Sequence, residues 1–143
     1  MRHSSRLALA LTLATAVLLT LAAQAHTPIV PVDPSITFSY RDADGAGRLT
    51  VQEMGADPAT GGRQIQVSLL QNGVRYNGSG ITFQLEPTMP FTTLITFTLV
   101  SPRGTSYFFR GKTTSGITLS GQGTFNRAGT TQNPSAWSIV LGG

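Results

Sequence analysis

The chain has 143 residues, of which 40% are hydrophobic and only 11% charged, with 10 Lys plus Arg, 6 Asp plus Glu, 2 His and no Cys. That length suits one domain, and a charged fraction far below the roughly 25% of an average soluble domain removes most of the raw material for acid–base chemistry. The absence of cysteine excludes thiol catalysis, cysteine zinc sites, disulfide staples and lipid attachment to an N-terminal cysteine.

The first element expected is a signal-peptide helix over residues 1–25. Arg2, His3 and Arg6 form a basic flank, Leu7 to Ala23 is an unbroken run of Leu, Ala, Val and Thr, and Ala23-Gln24-Ala25 places small residues where a signal peptidase cuts. The expected product is exported, to the periplasm or the extracellular space, and starts at His26. Taking residues 1–25 off the 143 leaves 118, and losing Arg2 and Arg6 leaves eight cations against six carboxylates, a net charge of +2. The remaining cations, seven Arg and Lys112, are spread singly along the chain, so the clustered basic stripe of a nucleic-acid binder is missing. With the signal peptide removed, no membrane segment remains.

An irregular Pro-rich lead spans residues 26–34, and the rest, 35–143, alternates with period 2, the pattern of half-buried strands. Ile36, Phe38 and Tyr40 alternate with Thr37, Ser39 and Arg41. After the turn residues Asp42 to Gly47, Leu49 and Val51 continue on a return strand, and a Gly-rich loop, Gly55 to Gly62, follows. Ile65, Val67 and Leu69 stand opposite Gln64, Gln66 and Ser68, up to Asn72-Gly73, a strong hairpin signal. A short return, Val74 to Asn77, is expected to end in a turn at Gly78-Ser79-Gly80, which also covers the sequon-like Asn77-Gly78-Ser79. Ile81, Phe83 and Leu85 then form a new inward-facing run, broken by Pro87 and Pro90. Thr92 to Ser101, Thr105 to Lys112, Ile117 to Arg127 and Ala136 to Leu141 complete the pattern, with Ala128 to Ser135 as a projecting loop.

The fold class expected is all-β, a single antiparallel β-sandwich or a small up-and-down barrel of eight or nine short strands in a meander. The candidate core is Ile36, Phe38, Leu49, Val51, Ile65, Val67, Leu69, Tyr76, Ile81, Phe83, Leu85, Ile95, Phe97, Leu99, Tyr107, Phe109, Ile117, Leu119, Phe125, Trp137 and Ile139. Alternation alone also fits an outer-membrane barrel turned inside out. Membrane strands need about 9–11 residues, and only Thr92 to Ser101 reads as that long.

The segment from Asp42 to Glu53 resembles an EF-hand loop. Counted from Asp42, carboxylates fall at positions 1, 3 and 12 (Asp42, Asp44, Glu53), with glycine at 6 and an aliphatic residue at 8. Position 5 is Ala46, which offers no side-chain oxygen, and the flanks are β-formers. A structural turn capped by its own aspartates competes with weak Ca²⁺ binding there; no other cofactor is expected. His26, as a new N-terminus, offers an amine and an imidazole to copper, as in exported copper proteins whose mature chain begins with histidine, but no second histidine follows it.

Catalytic constellations fail by inventory. The mature chain has one terminal His, one Lys and no Cys, and its six carboxylates lie in turns, loops or strand ends. The Gly-rich stretches sit between strands with no following helix to hold a phosphate. A non-catalytic module is therefore expected, acting in binding or as a cell-envelope or structural component. Its neutral faces of Thr and Gln, with Phe108 and Arg110 as a small amphipathic patch, would meet a glycan, a peptide or another subunit. Threonine-rich edge strands without lysine also suggest self-association by edge pairing. A second reading is a small-ligand carrier, with Trp137, Tyr76, Tyr107 and Phe125 lining a closed barrel that resembles lipocalin- and streptavidin-like barrels in its meander and Gly-rich turns.

Overall fold

Alternating strands joined by tight turns close on themselves here. The computed structural model describes residues 35–142 except 87, 89, 117 and 132, and the eight strands β1 (Ile36–Asp42), β2 (Gly45–Ala56), β3 (Arg63–Gln71), β4 (Val74–Gln84), β5 (Phe91–Val100), β6 (Ser106–Ser115), β7 (Ser120–Arg127) and β8 (Ser135–Leu141) form one closed antiparallel barrel in chain order. The expected signal peptide, the Pro-rich lead with His26, and Ile117 lie outside the described residues. Of the two all-β architectures expected, the barrel is the one formed. β1 pairs with β8 from Phe38 opposite Leu141 to Asp42 opposite Trp137, so the first and last strands are not left open as edges. Edge pairing, the route expected for self-association, has lost its two obvious strands to this closure.

From Phe38 to Leu69 the first three strands follow their alternation. Phe38, Tyr40, Leu49, Ile65, Val67 and Leu69 are buried inside, while Gln64 and Gln66 face out. Asn72 (φ 51°) and Gly73 (φ 74°) both take the left-handed conformation, the requirement of a two-residue turn that matches the twist of the strands it joins.

The fourth strand departs from expectation. No turn forms at Gly78-Ser79-Gly80; β4 runs through it for 11 residues, with Asn77 opposite Ser68 in mid-strand. Gly78 and Gly80 face inward, opposite Leu99 and Phe97 on β5, and a Cβ on either would strike the β5 backbone. Here glycine marks a close approach between strands rather than a turn. The parity beyond it is therefore opposite to that expected, and Ile81 and Phe83 stand on the outer wall, opposite Thr96 and Leu94. Leu85 and Ile36, also placed in the core by pattern, are exposed.

A second glycine face makes room for the one tryptophan. Gly111 on β6 and Gly123 on β7 are opposite one another, and Gly123 is opposite Trp137 on β8. A methyl group on Gly111 would collide with Cζ2 and Cη2 of the indole, and one on Gly123 with the β6 backbone. Trp137 is 2% exposed, and its Nε1 donates to the Thr124 carbonyl at 3.1 Å. Beside it the rings of Phe97, Phe109 and Phe125 stack in a row across β5, β6 and β7, at 4.6 and 4.8 Å between centroids. Aromatic stacks of this kind add roughly 0.5–1.5 kcal/mol each beyond the area they bury.

Strand length does not separate this barrel from a membrane one, because β2 to β6 have 9 to 12 residues. Large apolar side chains fill the interior and Thr, Ser, Gln and Arg cover most of the wall, the reverse of a transmembrane barrel.

The glycine face yields a test by unfolding. Gly111→Ala and Gly123→Ala should each lose about 1–3 kcal/mol by overpacking. Gly116→Ala, whose nearest neighbour is Pro90 Cβ at 3.8 Å, should melt with the parent protein. Equal melting temperatures for all three variants and the parent would contradict the packing described.

Candidate functional site

The barrel offers two kinds of surface, one mouth of its interior and the grooves of its outer wall. At the mouth formed by the β1–β2 and β3–β4 turns, a polar cluster closes the core. Tyr40, buried on β1, donates its hydroxyl to Asp42 Oδ2 at 2.7 Å. Gln71, buried at the end of β3, donates through Nε2 to Asp42 Oδ1 at 2.7 Å and to the Gly45 carbonyl at 3.1 Å. The Asp44 amide donates to the same Oδ1 at 2.8 Å. Asp42 thus ties two turns together across 29 residues of sequence. Burial, then the hydrogen bond to Asp42, push the Tyr40 phenol far above its ordinary range; burial raises Tyr76 as well.

Above this cluster is a cavity of about 60 Å³, lined among others by Tyr40, Asp42, Gln71, Tyr76, Tyr107 and Phe125. Ligand cavities are roughly 300–1,000 Å³, so this one has room for a few waters and no more. Of the four aromatic residues expected to line a carrier site, Tyr76, Tyr107 and Phe125 do surround it. Trp137 does not; it is packed deep among Phe97 and Phe109.

The three carboxylates of the EF-hand-like segment do not converge. Asp42 and Asp44 belong to the turn, whereas Glu53 lies eight residues along β2 from Gly45, roughly 26 Å away at about 3.3 Å per residue, and forms an ion pair with Arg63 at the opposite mouth. The segment is a hairpin with a capped turn, as its β-forming flanks imply, and its three carboxylates do not share one loop. A bulge between Glu53 and Gly55 ends the regular pairing of β2. In the following turn Asp57 is buried and accepts the Thr60 hydroxyl, the Ala59 amide at 3.4 Å and Gln64 Nε2 at 3.5 Å. The Thr60 bond, foremost, holds its carboxyl below the usual range.

Phe108 and Arg110, expected as an amphipathic patch, do share the outer wall and line one groove of about 540 Å³ across β4 to β7. Cross-strand rows build it. Ile81, Thr96, Arg110 and Thr124 stand opposite one another in turn, and beside them Ser79, Thr98, Phe108 and Asn126. Phe108 is 49% exposed. Thr131 and Pro134 of the β7–β8 loop form one bank, held in place where Asn126 Nδ2 donates to the Thr130 carbonyl at 2.9 Å and the Thr130 hydroxyl to the Arg127 carbonyl at 2.6 Å. Ile81 and Phe83 were missed as members of this surface because their alternation was phased inward; the glycines at 78 and 80, spaced by two, carried the signal that β4 was continuous.

A second groove, of about 680 Å³, continues from Thr124 onto β8 and β1. Lys112, Gln122, Ser138 and Arg41 form its row. Comparison with protein-family models, curated proteins and solved structures finds no match for this chain.

The polar mouth predicts an alkaline weakness. A folded-state pKa above the unfolded value means that the contribution of neutral Tyr40 is complete below about pH 10 and declines as pH rises beyond it. In urea unfolding above about pH 10, the parent should lose stability more steeply than Tyr40→Phe by about 1.4 kcal/mol per pH unit, one proton's worth. Parallel profiles would show that Tyr40 does not sit neutral in the cluster.

Proposed function

We propose that this chain is an exported, non-catalytic binding module of the cell envelope or its surroundings, that its working surface is the outer wall of the barrel, and that its ligand is a glycan. The observation that carries this reading is the half-exposed Phe108 set in a groove of threonine, serine and asparagine side chains with Arg110 beside it. An aromatic face packs against the C–H face of a sugar, and hydroxyls, amides and a guanidinium pair with its hydroxyl groups without the desolvation cost of buried carboxylates. A peptide would bind most simply by adding a strand to an open edge, and β1 and β8 are already paired. Transport of an apolar ligand inside the barrel is disfavoured by the 60 Å³ interior cavity.

Support for a non-catalytic role comes from the engagement of the carboxylates. Asp42 is committed to Tyr40 and Gln71, Glu53 to Arg63 and Asp57 to its own turn. Export rests on the N-terminal sequence pattern alone.

Titration of the isotopically labelled protein with neutral gluco- and chito-oligosaccharides, followed by amide shifts, should move residues of the Phe108 groove such as Thr98, Phe108 and Thr124. Phe108→Ala should weaken that binding about tenfold, roughly 1.4 kcal/mol. Shifts confined to the inward residues Tyr76 and Tyr107 would contradict the reading.

A further inference from the structure

Charge is sorted on this barrel by position. Among the described residues, every charged side chain on the outward face of the strands is a cation, namely Arg41, Arg48, Arg75, Arg110 and Lys112. The carboxylates are elsewhere, with Asp42 and Asp44 at the β1–β2 turn, Glu53 paired with Arg63, Asp57 in the β2–β3 turn and Glu86 beyond β4. None of these five cations meets a carboxylate among the described residues, and Arg75 donates to Ser68 at 3.3 Å on the far wall. Two of the five, Arg41 and Lys112, lie at the two ends of one row in the second groove, with Gln122 and Ser138 between them. Asp42 also lines that groove, but its carboxylate is turned to Tyr40 and Gln71.

We infer that the second groove binds the acidic substituents of an anionic polysaccharide, a chain bearing carboxylate or sulfate on its sugars, which runs on from the Phe108 groove past Thr124. The inference rests on the glycan reading above and names the ligand class. Lys112 and Arg41 are three strand spacings apart, roughly 14 Å along the sheet, so they reach acidic groups on separate sugars of one chain. An exposed cation row with no competing carboxylate attracts anions and pairs with them through charge-assisted hydrogen bonds. Gln122 and Ser138 serve the neutral hydroxyl groups between. A nucleic acid carries a charge at every phosphate and calls for a denser basic track than two cations separated by an amide and a hydroxyl.

The test compares oligogalacturonate with its uncharged methyl ester of equal length, by titration calorimetry and amide shifts, on the parent and two double variants. Arg41→Gln/Lys112→Gln removes the row; Arg48→Gln/Arg75→Gln removes equal charge from the far wall. All four residues are exposed, so unchanged melting temperatures should confirm that both variants fold. The parent should bind the acid at least tenfold tighter than the ester, with the preference shrinking as salt rises. The first variant should hold acid and ester alike, and the second should behave as the parent. Equal affinity of the parent for acid and ester, or a preference that survives in the first variant, overturns the inference while leaving the glycan reading intact if the ester still shifts the Phe108 groove. Acid binding that shifts the Arg41–Lys112 row with no ester binding and no shift at Phe108 overturns the glycan reading and keeps the anion groove. Tighter binding of single-stranded DNA than of oligogalacturonate overturns the assignment to a polysaccharide.

Discussion

Closing eight strands into a barrel leaves an interior just wide enough for side chains to fill, and here Trp137 fills the middle of it against Gly111 and Gly123. This contact sets the rest of the packing. The indole can enter only because the β6–β7 wall lacks Cβ atoms where it lies, and its Nε1 is satisfied by the Thr124 carbonyl of the same wall. Once it is in place, Phe97, Phe109 and Phe125 stack beside it, and Gly78 and Gly80 let β4 close onto β5. A tight interior built this way tolerates little added volume.

The packed interior in turn decides which surfaces can work. The polar mouth at Tyr40, Asp42 and Gln71 is a structural tie, since each oxygen of Asp42 already accepts from the protein. What remains free is the outer wall, where alternation places the opposite set of side chains on every strand. The two grooves are consequences of cross-strand register, because Thr96, Arg110 and Thr124 become neighbours only through the pairing of three strands. The scarcity of charge noted in the composition acquires a location. Among the described residues, carboxylates are retained at turns and mouths, where they cap backbone amides or pair with a neighbour, and cations alone remain on the outward strand faces.

Local chemistry was legible in the sequence and nonlocal pairing was not. The inward faces of β1, β2 and β3 follow directly from Phe38, Leu49, Val67 and their alternating partners, and Asn72-Gly73 specifies its own turn. The Gly78-Ser79-Gly80 segment misled because glycine serves both turns and close strand contacts, and only Leu99 and Phe97 on β5 decide between them. Reading a turn there reversed the phase of Ile81 and Phe83 and hid their place in the aromatic groove. The calcium-like spacing from Asp42 to Glu53 does not gather its carboxylates for a related reason, since such spacing brings groups together on a curled loop but spreads them along an extended strand. The choice between sandwich and barrel rested on whether β8 meets β1, a contact between the two ends of the domain that no short-range pattern encodes. Phe108 and Arg110 share the outer wall because they are two residues apart on one strand.

A filled interior is the premise of the proposed recognition at the wall, and the single tryptophan reports on that interior directly. Titrating the folded protein with small apolar ligands while following Trp137 emission and its quenching by acrylamide should give a blue, poorly quenched spectrum that no ligand changes. Emission that shifts and becomes protected or quenched as an apolar ligand is added would mean an open interior, and would return the binding site to the inside of the barrel.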